Sequence, residues 1–165
     1  MKKYLLLTSL IILAPFLLIS CVSNLLKEKA PTFSKDVSFE QPQGAFYQLD
    51  KSVFPSWKNK TTGNVISIFS DCQTEAPRTL NDLQKYIEDS IENSERTKET
   101  VIQFQNKPAL QLTLQGQLEG NPIQVQSISF VRESCGYVVS LSGKPQQLKQ
   151  DQHAYDQFLA SLTFK

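Results

Sequence analysis

Residues 100–141 constrain the fold more than any other part of the chain. Apolar residues there recur at every second position, the period of a half-buried strand. Residues 100–105 form a first run, and residues 109–118 alternate through Leu110, Leu112 and Leu114. Glu119-Gly120-Asn121-Pro122 has the composition of a hairpin turn. Residues 123–132 return with Ile123 and Val125 on one parity and Ile128 and Phe130 on the other, which predicts a β-bulge near Ser127. Gly136 opens a last strong strand that runs to Leu141. Consecutive hairpins of this kind build an antiparallel sheet.

The flanking segments supply shorter strands and two helices. Residues 37–39 and 45–49 read as strands around the turn Gln41-Pro42-Gln43-Gly44. Thr62-Gly63-Asn64 turns into residues 65–70, β-branched and apolar enough for a central strand. A helix is predicted over 80–93, capped by Thr79 with Asp82, with Leu80, Leu83, Ile87 and Ile91 on one face. Glu88, Asp89 and Glu92 fall on its solvated side, and residues 95–99 read as a charged turn. A second helix is predicted over 146–162 from the stripe Leu148, Tyr155, Phe158, Leu159 and Leu162, with Asp151 and Asp156 left polar. Helices segregated from strands define an α+β class with a mainly antiparallel sheet, in one domain over 37–165.

This order of elements resembles the Mog1/PsbP-like superfamily, which includes the photosystem PsbP proteins, the Ran-binding Mog1 proteins, DcrB and some bacterial lipoproteins. The resemblance rests on Phe54-Pro55-Ser56-Trp57, the strand from Gly63 to Ile68, the helix after it, the hairpin over 109–132, and the final helix ending in Phe158-Leu159-Ala160-Ser161-Leu162. It implies an α/β/α sandwich, an antiparallel sheet flanked by helices. It does not imply one function, because members bind different partners.

The N-terminus is of another kind. Lys2 and Lys3 precede a run over 4–18 that is apolar except for Thr8, Ser9 and Pro15. That length suits the core of a secretory signal and is short for a membrane span. Leu18-Ile19-Ser20-Cys21 resembles the lipobox of bacterial lipoproteins. The resemblance implies that residues 1–20 are a signal peptide and that Cys21 carries a diacylglyceryl group, with further acylation such as palmitate on its freed amine. Two or more acyl chains hold a protein stably on a membrane, at roughly 0.8 kcal/mol per buried methylene. By the enterobacterial sorting rule, Val22 rather than Asp after the cysteine favours the outer membrane. The alternatives are an uncleaved membrane anchor or a plain signal peptide. Residues 21–36 then read as a lipidated N-terminus and flexible tether, about 50 Å long if fully stretched.

With Cys21 assigned to lipid, Cys72 and Cys135 remain. In an oxidising compartment such a pair forms a disulfide; two separate buried thiols are the alternative. The full chain has 17 basic and 16 acidic residues. Losing Lys2 and Lys3 leaves 15 against 16, a balance that argues against electrostatic binding of nucleic acid.

No catalytic signature stands out. The single histidine, His153, has only Asp151 and Asp156 nearby in sequence, without a ligand pattern. There is no G-x-S-x-G, S-x-x-K, P-loop or H-E-x-x-H. No metal or cofactor is expected, and no enzymatic activity. Trp57, the sole tryptophan, reads as core before it reads as a binding anchor. Three functions are left: an accessory lipoprotein that binds a protein partner in the cell envelope, a carrier or sensor of a small apolar ligand or lipid, and a hydrolase with a cryptic site. The first is the leading expectation. A concave apolar pocket of a few hundred Å³ would favour the second, and a flat apolar patch the first.

Overall fold

The computed structural model describes residues 33–72 and 79–165. The expected signal peptide, Cys21 and the expected tether up to residue 32 lie outside the described residues. The elements are β1 (Val37–Ser38), β2 (Phe46–Gln48), β3 (Ser56–Asn59), β4 (Val65–Asp71), α1 (Leu80–Glu88), β5 (Glu92–Phe104), β6 (Lys107–Leu118), β7 (Asn121–Arg132), β8 (Cys135–Gly143), a 3-10 turn (Leu148–Asp151), α2 (Gln152–Ser161) and β9 (Thr163–Phe164). β2 to β8 form one seven-stranded antiparallel sheet in the order β2-β3-β4-β8-β7-β6-β5. β1 and β9 pair separately.

Two-residue turns connect β5 through β8. The φ angles are positive at Gln105 and Asn106 (49° and 63°), at Glu119 and Gly120 (52° and 74°), and at Glu133 (49°). In the first two turns positive φ at both residues matches the right-handed twist of the flanking strands. The hairpin expected over 119–122 is present, and its turn is tighter, because Asn121 already pairs with Leu118.

The bulge expected near Ser127 is absent. β7 pairs without a break with β6 from Asn121 to Phe130 and with β8 from Gln124 to Arg132. The apolar parity changes because the sheet is covered on both faces. Ile123 and Val125 join Ile87, Ile91, Leu112 and Leu114 on the α1 face. Ile128 and Phe130 join Tyr137, Val139 and Leu141 on the α2 face, with Leu148, Tyr155, Phe158 and Leu162. The register shifts lie instead in β5, between Glu92 and Glu95 and between Arg96 and Lys98.

The charged turn expected over 95–99 is therefore the middle of a 13-residue edge strand. Charges and bulges are what an edge strand carries to discourage pairing with another chain, so a charged run there is compatible with a strand. The first helix also stops earlier than the 80–93 predicted for it, at Glu88, where Ser90 Oγ donates to the Ile87 carbonyl. Its start is as expected. Thr79 Oγ1 accepts from the Asp82 amide while the Asp82 carboxylate accepts from the Thr79 amide, a reciprocal capping box.

α2 and the β1–β9 pair close the larger core. Trp57 is buried against Phe39 and Phe158, a core residue and not a surface anchor. Asp151, expected to stay polar outside the apolar stripe, is buried and accepts hydrogen bonds from Asn59, Thr62 and Asn64, which fastens the β3–β4 turn to the start of α2. Residues 33–36, expected at the end of the tether, are packed on the domain. The Ser34 amide donates to Ser70 Oγ, and Tyr137 donates its phenol proton to Ser34 Oγ.

Candidate functional site

α1 covers only part of its face of the sheet. A helix about 10 Å across shelters two or three strands spaced about 4.8 Å apart. Its packing is on β6, β7 and β8. Leu83 fills the space above Gly136, where any Cβ would meet its methyl groups. Gln84 is fully buried; its amide donates to the Leu110 carbonyl and its oxygen accepts from Ser127 Oγ. Arg96 locks the far side, with Nε and Nη2 on the two Glu88 oxygens at 2.8 and 2.7 Å and Nη1 on Glu99 at 3.0 Å. These carboxylates hold the guanidinium above its ordinary pKa, and hydrogen bonding from Arg96 holds Glu88 below the usual carboxylate value.

Among the described residues, β4 and the neighbouring part of β8 thus have no helix above them. The result is a cleft of about 290 Å³, lined by Phe54, Ser67, Phe69, Tyr86, Ile87, Ser90, Val138 and Ser140. Aromatic rings make one wall. Phe54 meets Phe69 edge-on at 4.7 Å between centroids, and Phe69 meets Tyr86 at 4.8 Å. The Tyr86 hydroxyl donates to Asp71 Oδ2, which ties α1 to the end of β4. Ser67 and Ser140 face each other across β4 and β8, their hydroxyls 2.8 Å apart, and form the floor. Among the described residues no lining side chain is charged, which suits an uncharged apolar guest.

The floor belongs to a line of serines that crosses four strands. Ser56, Ser67, Ser140 and Ser127 occupy consecutive register positions on β3, β4, β8 and β7. A serine inside an apolar strand was the one signal of this site visible in the sequence, and periodicity alone did not single it out.

The disulfide lies at the same end of β4. Cys72 and Cys135 are bonded, one position beyond the last ladder pair, Asp71 with Gly136. His153 is exposed on α2 and lines none of the hollows among the described residues, so the geometry provides no serine–histidine pair at the cleft. A wider hollow of about 580 Å³ is bordered by Leu49, Asp50, Lys51 and Ser52 of a single loop and is open to solvent. Among the described residues there is no group of three or more potential metal ligands, and no helix long and apolar enough to cross a membrane.

The architecture is the α+β sandwich of PsbP-like proteins, antiparallel with a helix on each face. The solution structure of cyanobacterial PsbP (CyanoP) from Synechocystis sp. PCC 6803 aligns at a TM-score of 0.56 and 11% identity, covering 79% of this chain and 87% of that one. A protein of unknown function from Pseudomonas aeruginosa, PA94, aligns at 0.53 and 15% identity, covering 81% and 86%. LpqN of Mycobacterium tuberculosis, described as involved in cell envelope biogenesis, aligns at 0.42 and 10%, covering 82% of each chain. No family model and no curated protein matches the sequence. The first two likenesses establish the fold.

Proposed function

We propose that this chain is a non-enzymatic accessory lipoprotein of the bacterial envelope, and that its domain carries or senses a small apolar molecule held in the α1 cleft. One observation carries the reading: a concave, uncharged, largely apolar cavity of about 290 Å³ with an aromatic wall, set between a sheet and a helix. The lipobox-like Leu18-Ile19-Ser20-Cys21 supports the anchor and the location. Docking of a protein partner, the leading expectation from sequence, ranks second. Among the described residues, the exposed large apolar side chains Tyr47, Val53, Tyr86, Val101 and Leu118 lie on separate segments of the chain.

The test is recovery of the guest. The protein is purified from its native envelope in mild detergent beside Ser90→Trp, a change at an exposed position on the cleft rim. Mass spectrometry of the organic extract should find a small neutral compound with the wild-type chain and not with the variant. Identical extracts from both proteins would overturn the cleft as the working site.

A further inference from the structure

The polar atoms of the cleft define its guest more narrowly, given that the cleft is the working site. Ser67 and Ser140 bring two hydroxyl protons to the floor, and one is used in the bond between them. A hydroxyl also accepts, so the pair leaves one O–H donor without a partner. Ser90 Oγ already donates to the Ile87 carbonyl and can only accept. The Tyr86 proton is committed to Asp71. Among the described residues the floor therefore offers a single neutral donor beneath apolar walls, with no lining cation to meet a carboxylate or phosphate and no lining anion to meet an amine.

We infer that the cleft takes a neutral molecule with one ketone, ester or ether oxygen at its buried end and an apolar, preferably aromatic, body. The volume limits its size. At about 30 Å³ per heavy atom, the share a water molecule occupies in the liquid, 290 Å³ accommodates about ten heavy atoms. That is a ring with a short chain, or the end of a single acyl chain. It is too small to enclose a whole phospholipid. A buried carboxylate would give up its charge hydration for one neutral hydroxyl, whereas a carbonyl oxygen has far less hydration to lose and meets the same donor.

Three probes of nearly equal size separate the possibilities: benzylacetone, a ketone; butylbenzene, which has no acceptor; and hydrocinnamate, the anion. Amide shifts of Ser67, Phe69 and Ser140 in the isotope-labelled full-length chain report binding. Benzylacetone should bind about fivefold more tightly than butylbenzene, the effect of one ordinary hydrogen bond. Hydrocinnamate should bind at least about a hundredfold more weakly than the ketone. Ser67→Ala with Ser140→Ala should equalise benzylacetone and butylbenzene, and Ser90→Trp should weaken both. Equal binding of the ketone and the hydrocarbon to the wild-type chain would overturn the donor assignment and leave the cleft reading standing. Preferred binding of hydrocinnamate would overturn the neutrality of the guest. No shift with any probe would overturn the cleft reading itself.

Discussion

Cutting the Cys72–Cys135 bridge should cost the fold about 4 kcal/mol. The bridge closes a loop of 63 residues that contains α1 and β5 to β7. In the chain-entropy account, a cross-link over that span lies between about 3 kcal/mol for a short loop and about 4.7 kcal/mol for a hundred residues. The native state needs the bond less than the unfolded chain does. β4 and β8 are already paired from Val65 with Ser142 to Asp71 with Gly136, which holds the two cysteines opposite each other with or without the covalent link. The reduced protein should therefore keep its fold while its unfolded ensemble expands. Urea titration of the oxidised protein, and of a Cys72→Ala, Cys135→Ala variant, tests both halves. The midpoint should fall, and the slope should rise as the freed chain exposes more surface. For a domain of this size the loss corresponds to a drop in melting temperature of about 15 °C. A difference below about 1 kcal/mol with an unchanged slope would refute the reasoning. Unfolding of the variant without denaturant would show that the sheet seam cannot hold β4 unaided.

Two further predictions concern charge and the core. Arg96→Met should destabilise the domain by no more than about 1 kcal/mol, because the ion pairs are partly solvated. Arg96 depresses the Glu88 pKa, so this stabilisation is present above the ordinary value of 4.5 and lost as pH falls through the lower native value; wild type and variant should converge in acid denaturation curves. Tyr155 is fully enclosed and donates its hydroxyl to the Val139 carbonyl, and burial raises its pKa above the ordinary 10. The folded state then keeps a proton that the unfolded chain releases, so stability should fall as pH rises beyond about 10, less steeply in Tyr155→Phe, and phenolate absorbance should show Tyr155 titrating only with unfolding.

The strands that one helix or one core covers were legible in sequence. β6 alternates cleanly through Leu110, Leu112 and Leu114, all on the α1 face, and the predicted elements follow in the right order. β7 misled because alternation assumes one wet face, and it has none along its second half: Ser127, Ile128, Ser129 and Phe130 are all buried. β5 misled in the opposite way, since Glu95, Lys98 and Glu99 belong to an edge that packing does not select. The cleft could not be read because its walls come from the approach to β3, from β4, from the end of α1 and from β8. Each of its residues taken alone looks like ordinary core. Only the register that sets Ser67 against Ser140 turns two scattered serines into a floor.

The tight turns of the meander also bear on the order in which the chain assembles. β5 to β8 need only local contacts across two-residue connections, and such hairpins form in microseconds. β4 reaches β8 only after the whole intervening segment has been laid down, which makes that seam a slow, non-local step. The cysteines meet at its far end, so an oxidase acting on the emerging chain would find them adjacent only once β4 has docked. Formation of the bond would then mark the closing of the β4–β8 seam, and a chain stalled before that point would present two free thiols to whatever machinery sorts unfinished proteins.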